Sequence, residues 1–329
     1  MSSMTNALAA LSSTQYYLFR FVSPVVIFLG TVGCIINLTV FTQKLLRKNT
    51  CSVYFIAYNI GNFIYIYAAP FYVTLNVGYS IDASIQYLVL CRLRFYTTVL
   101  LNCLCSFYLV MASIDRVLIT SSNARTRQKS TLRMAYVCVI GGSIFWALFH
   151  SHVLFLTNII QIIPNVFQCY SEQGIYRVFL SYYVLIKEIL ALVLLIMCGL
   201  RSVKNIRRSV RRIEDATGAL SRTAAGGNST HSTVARDRQL AFMLLMDILI
   251  YGLFCSTFAI FLLYQQLTQY NVKSPVQIQI ESIVRNLAQF AASIPVSTSF
   301  YTNMIASKTF RNEVKKAFSW TRILCIQKH

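Results

Sequence analysis

Long apolar blocks separated by short polar stretches dominate the chain, at residues 18–43, 52–76, 88–118, 134–158, 177–200, 240–265 and 276–305. A helix rising ~1.5 Å per residue needs about 20 residues to cross the hydrocarbon core of a bilayer, so each block is long enough to span. The apolar positions run in blocks, without the alternation of strands or the single stripe of amphipathic helices. The pattern predicts an all-α membrane protein with seven transmembrane helices. The last block is the weakest, because Gln277 to Gln289 includes Glu281, Arg285 and Asn286. The alternative is six spans and an amphipathic surface segment. Charge placement favours seven. Of the 30 basic residues, 23 lie in four clusters at one face of a seven-span arrangement: Lys44/Arg47/Lys48, Arg116 to Arg133, Arg201 to Arg238, and Lys308 to Lys328. By the positive-inside rule that face is cytoplasmic, which puts the N-terminus outside and the C-terminus inside.

Composition narrows the class further. A chain of 329 residues that is 56% hydrophobic, with a mean hydropathy of +0.56, is too apolar for a soluble domain. Its net charge of +20 does not point to nucleic acid, because the basic residues adjoin the spans; the expected partner is anionic lipid of the inner leaflet. The predicted organisation is an extracellular N-terminus over 1–17, a helical bundle over 18–305 with a cytoplasmic loop at about 204–237, and a cytoplasmic segment over 306–329. Leu18 to Phe41 is too long for the apolar core of a cleaved signal peptide, so the first span is expected to act as the anchor. His150 and His152 stand without further ligands nearby, and no phosphate-cradling glycine loop is present. The expectation is no enzyme, no metal and no cofactor.

One tripeptide carries more information than the rest. Asp115-Arg116-Val117 closes the third block, 25 residues after Cys91, and a helix of that length covers roughly 37 Å. An adjacent acid and base therefore sit where the helix leaves the hydrocarbon, so their charges can be solvated or bound by a partner. This resembles the third helix of the rhodopsin-like G-protein-coupled receptors. Several further positions are similar to that family: Gly33 and Asn37 in the first span, Asn62 in the second, Trp146 in the fourth, and Phe310-Arg311 at the start of a short eighth helix. Other positions depart from it. The fifth span has no proline, the sixth has neither proline nor tryptophan, and the slots of the Asn-Pro-x-x-Tyr motif hold Ser299, Phe300, Tyr301, Thr302 and Asn303. Only Pro295 is left to kink the seventh.

The resemblance implies a plasma-membrane receptor for an extracellular ligand that activates a heterotrimeric G protein, with no role for nucleic acid. It implies that Arg116, once released from Asp115, faces the G protein, and that a Cys91–Cys169 disulfide pins the loop between the fourth and fifth spans. Asn37 and Asn62 become polar contacts inside the bundle. Asn62 replaces the family's sodium-binding aspartate and Cys105 a frequent serine, so no sodium site is expected. Thr98 stands where amine receptors carry an aspartate, which favours a peptide or polar small molecule over a monoamine. The candidate ligand pocket comprises Arg94, Thr98, Lys187, Glu188, Glu281 and Arg285, because intramembrane charges are costly unless they face a cavity or a partner. Glu281 and Arg285, spaced i,i+4, can alternatively pair with each other. Cys325, beyond the last span, is a candidate for palmitoylation. The rival class is a transporter or channel, for which the expected internal repeats are absent from the sequence.

Overall fold

The computed structural model describes the whole chain except residues 1, 122, 164–165, 172–173, 220–227, 269–270 and 327–329. Among the described residues, five helices are long and apolar enough to cross a membrane: Leu8–Phe41, Leu88–Thr120, Leu132–Leu156, Ile175–Arg208 and Ala241–Leu267. The chain is a membrane-embedded, largely helical protein.

The first helix, α1 (Ser2–Tyr17), begins in the segment expected to form an extracellular N-terminus and runs through a π-helical turn, Leu18–Val22, into α2 (Ser23–Phe41). Ala7-Leu8-Ala9-Ala10-Leu11 supplies strong helix formers there, which explains why the helix starts earlier than the apolar block. The second block forms α3 (Thr50–Ala68) and α4 (Pro70–Tyr79), broken at Ala69 because Pro70 has no N–H to donate back along the helix. The hydroxyl of Thr98 donates to the Ala68 carbonyl at 3.1 Å, satisfying a backbone group at the break.

Three long helices follow: α5 (Leu88–Thr120), α6 (Leu132–Phe149) and α7 (Ile175–Ala219). Between α6 and α7 lies a two-stranded antiparallel hairpin, β1 (Thr157–Ile163) with β2 (Val166–Ser171), in which Ile159 faces Cys169. The hairpin is a small insertion in a largely helical chain, and the fourth apolar block is helical through Leu132–Phe149 and, after a turn at His150 and Ser151, His152–Leu156. Next come α8 (Asn228–Leu267), α9 (Pro275–Ala306) and α10 (Lys308–Ile326). Pro295 lies within α9, which stays helical across it.

The helices pack as a bundle in which α3 contacts α2 and α5, and α9 contacts α8 and α2. Glycine permits the closest of these approaches: a Cβ on Gly33 would lie 2.9 Å from the Phe300 side chain, and one on Gly30 only 2.7 Å from Ser297 Oγ. Polar cross-links are buried at the same interfaces. Asn37 Nδ2 donates to Asn59 Oδ1 at 2.8 Å, tying α2 to α3, while the Asn59 amide donates to the Phe55 carbonyl at 2.8 Å. Asp247 accepts from Thr302 at 3.0 Å and Ser299 at 3.5 Å, tying α8 to α9. Interhelical hydrogen bonds in lipid contribute about 0.6 kcal/mol on average and up to about 1.7. A double-mutant cycle on Asn37→Leu and Asn59→Leu, read by thermal unfolding in detergent, is expected to return coupling in that range. Strictly additive losses would show that the amides act independently.

Candidate functional site

Asp115 and Arg116 stand at the last turns of α5, and neither is a solvated helix end: Arg116 is 0% exposed and Asp115 5%. Three residues on other elements hold the pair. The Asp115 carboxylate accepts from Thr50 Oγ1 at 2.8 Å and from Ser130 Oγ at 2.5 Å, and the two hydroxyls lie 3.0 Å apart. Arg116 Nη2 donates to Asn49 Oδ1 at 2.5 Å, whereas its nearest approach to Asp115 is 3.9 Å. The same Asn49 oxygen accepts from the Cys51 N–H at 3.0 Å and so caps the first turn of α3.

Sequence reading places Asp115 as the holder of Arg116. In the structure the closer partner is Asn49, and the carboxylate is occupied mainly by two hydroxyls. Asn49, Thr50 and Ser130 are additions to the site. A signal for two of them exists, since Asn-Thr at a helix start is an N-cap pattern. Ser130 carries no such mark. Nearby on α7, Asn205 Nδ2 reaches the Val117 carbonyl and Thr120 Oγ1, each at 3.5 Å, which brings that helix to the same end of α5.

Midway along the bundle, Lys187 pairs with Glu188 at 2.6 Å and also donates to Asn102 Oδ1. Tyr251 donates to the other Glu188 oxygen at 2.9 Å, so α5, α7 and α8 share one buried polar cluster. A buried ion pair is retained when hydrogen bonds satisfy its remaining lone pairs, and here Asn102 and Tyr251 do so. Glu188 and Tyr251 also form part of the wall of an apolar cavity of about 210 Å³ between α7 and α8, lined further by Leu185, Leu192, Cys255 and Leu263.

At the far end of α5, Cys91 is joined to Cys169 of β2, with their Cα atoms 5.6 Å apart. Arg92 Nε donates to the Thr157 carbonyl at 3.0 Å, so α5 holds both strands of the hairpin. Arg94 lies with its guanidinium 3.8 Å from the centre of the Tyr72 ring. Glu281 pairs with Lys273 at 2.7 Å and accepts from Tyr264 at 3.0 Å. The alternative i,i+4 pairing of Glu281 with Arg285 is therefore not the one formed.

The chain was compared with protein-family models and with curated proteins. Neither comparison found a match.

The sequence-predicted pocket is dispersed. Thr98 serves the helix break at Ala68, Arg94 stacks on α4, Lys187 and Glu188 lie midway along the bundle, and Glu281 belongs to a pair with Lys273. Asn62 is fully buried inside the bundle. The side chains of Cys325 and of residues 209–237 lie outside the described residues. Among the described residues no cluster of three metal-ligating side chains occurs.

Proposed function

We propose that the chain is a divergent rhodopsin-like receptor of the plasma membrane that binds an extracellular ligand and activates a heterotrimeric G protein. In this reading α3 with α4, and α9, cross the bilayer together with the five more apolar helices, giving seven spans with the N-terminus outside. Their lower hydropathy has a physical source, because their polar residues face inward: Asn59, Asn62 and Asn303 are each 0% exposed. Such residues reduce hydropathy without exposing polar groups to lipid.

The observation that carries the reading is the Asp115-Arg116 pair, buried against Asn49, Thr50 and Ser130 on one side of the bundle, with the Cys91–Cys169 disulfide at the other end of the same helix. Both ends of α5 are then fixed. A ligand at the hairpin end acts on helices whose opposite ends hold or release the guanidinium, and the released cation meets the C-terminal helix of the G-protein α subunit in a groove between α5, α7 and α8.

The test has two parts. An epitope at the N-terminus should be reached by antibody on intact cells, and one within 204–237 only after permeabilisation. Energy-transfer sensors for each class of G-protein α subunit should then report dissociation that depends on the amount of chain at the surface. The opposite topology, or a ligand-dependent current that persists with G proteins blocked, would replace this reading with a transporter or channel.

A further inference from the structure

The apolar cavity of about 210 Å³ between α7 and α8 begins where the close packing of those helices stops. Farther from the hairpin they touch through glycines: a Cβ on Gly252 would lie 3.2 Å from Leu192, and one on Gly199 3.3 Å from Leu245. From Leu192 and Tyr251 the cavity continues toward the hairpin end as far as Leu185 and Leu263, ~10 Å along α7 and ~18 Å along α8. Both helices are long and apolar enough to cross a membrane. Ile189, Ile260 and Leu263, which are 49%, 66% and 46% exposed, frame the mouth, so the cavity opens to the hydrocarbon. Its rear wall carries Glu188 and Tyr251, 5% and 9% exposed.

Water does not suit this space. An apolar cavity of about 150 Å³ stays dry and binds a small hydrocarbon. In this larger one the polar wall groups already have partners: Ser256 Oγ donates to the Leu253 carbonyl at 2.9 Å, and the Tyr251 hydroxyl to Glu188 at 2.9 Å. The molecules that reach the mouth are those dissolved in the bilayer, so the occupant has an apolar body. The rear wall adds one chemical preference. A carboxylate accepts about four hydrogen bonds, and Glu188 takes one from Lys187 at 2.6 Å and one from Tyr251 at 2.9 Å, which leaves room for a further donor. A second anion there would face the carboxylate in a desolvated site, and an ammonium would have to shed its water to cross the hydrocarbon; a hydroxyl donates at the smaller cost of a neutral group. We infer that this cavity binds a lipophilic alcohol delivered through the bilayer, its apolar body between α7 and α8 and its hydroxyl donating to Glu188. The site depends on membrane embedding and not on the receptor reading.

The test uses the full chain in phosphatidylcholine nanodiscs, irradiated with an octanol that carries a diazirine on its chain, with the adducts located by mass spectrometry. Saturable labelling is expected on the cavity segments, 185–192 and 251–263. At equal concentration in the bilayer, octanol should displace the label, octane should do so about tenfold less well because it lacks the hydrogen bond to a charged acceptor, and octanoate should not. Ala259→Phe puts a ring into the cavity and should reduce labelling at least tenfold at unchanged helical content, whereas Leu249→Ala, on the lipid-facing side of α8, should leave it unchanged. Should Ala259→Phe fail to fold, the competition among octanol, octane and octanoate decides the matter on the parent chain alone. Labelling that does not saturate and spreads over all lipid-facing helices overturns the site. Equal competition by octane and octanol also overturns the proposal, because plain hydrocarbon, such as a lipid acyl chain, then fills the cavity. No G protein takes part in the measurement, so its failure would leave the receptor reading standing.

Discussion

Replacing Cys91 or Cys169 with Ser is expected to cut the amount of folded protein at the cell surface sharply and by the same factor, and replacing both should do no further harm. The bond joins residues separated by 78 positions and spans from the first turn of α5 to β2. Closing a loop of that length removes conformational freedom from the unfolded chain worth at most about 4.5 kcal/mol. Either single substitution removes the whole of that constraint, so the two losses cannot add. The hairpin would also lose its covalent tether while keeping the Arg92 bond to Thr157, so the helices should remain assembled longer than the hairpin. Surface labelling of the singles and the double, with thiol counting on the oxidised parent, checks this. Additive losses, or a reactive thiol at either position in the parent, would show that the two cysteines act separately.

The second large effect is expected at Asp115. Asparagine keeps an oxygen for Thr50 or Ser130 but removes the negative charge 3.9 Å from the Arg116 guanidinium. It also replaces charge-assisted hydrogen bonds with neutral ones, which are roughly half as strong. The balance between the covered and released states of Arg116 should move by about 1–2 kcal/mol, or some 5- to 30-fold in population. Basal G-protein dissociation should rise accordingly at matched surface expression. Asn49→Ala should act in the same direction, because Asn49 holds Arg116 more closely than Asp115 does, but it also removes the cap of α3 and so should lower surface level. Basal signalling unchanged in both variants would mean that neither contact restrains the guanidinium.

The apolar blocks made the order of the helices legible, because burial in lipid demands length and hydropathy wherever a helix crosses. Asp115-Arg116 was legible for a related reason: an acid and a base adjacent at the end of a long apolar run are conspicuous. The identity of their partners was not. Ser130 lies 15 residues beyond Asp115 and reaches the carboxylate only because the chain folds back past Ala124–Arg127. The pairing of Glu281 with Lys273 in place of Arg285 is equally a matter of three-dimensional proximity, since i,i+4 spacing states only that a pair is possible. The hairpin left a weak trace in Ile159-Ile160-Gln161-Ile162-Ile163-Pro164-Asn165, a β-branched run followed by turn residues, but its apolar character merged with the fourth block. The N-terminal helix was hidden by its polar composition, because hydropathy reports membrane burial and not helix formation.

The receptor reading rests most heavily on Arg116. Its guanidinium is fully buried in the structure, and its proposed role appears only when Asn49 and Asp115 release it. The deciding measurement compares Arg116→Ala with the parent for G-protein dissociation in cells, at matched surface expression and with Asp115→Asn alongside. The expected result is signal reduced at least tenfold in Arg116→Ala, with surface level retained, and raised in Asp115→Asn. An Arg116→Ala chain that signals like the parent at the same surface level would contradict the G-protein assignment.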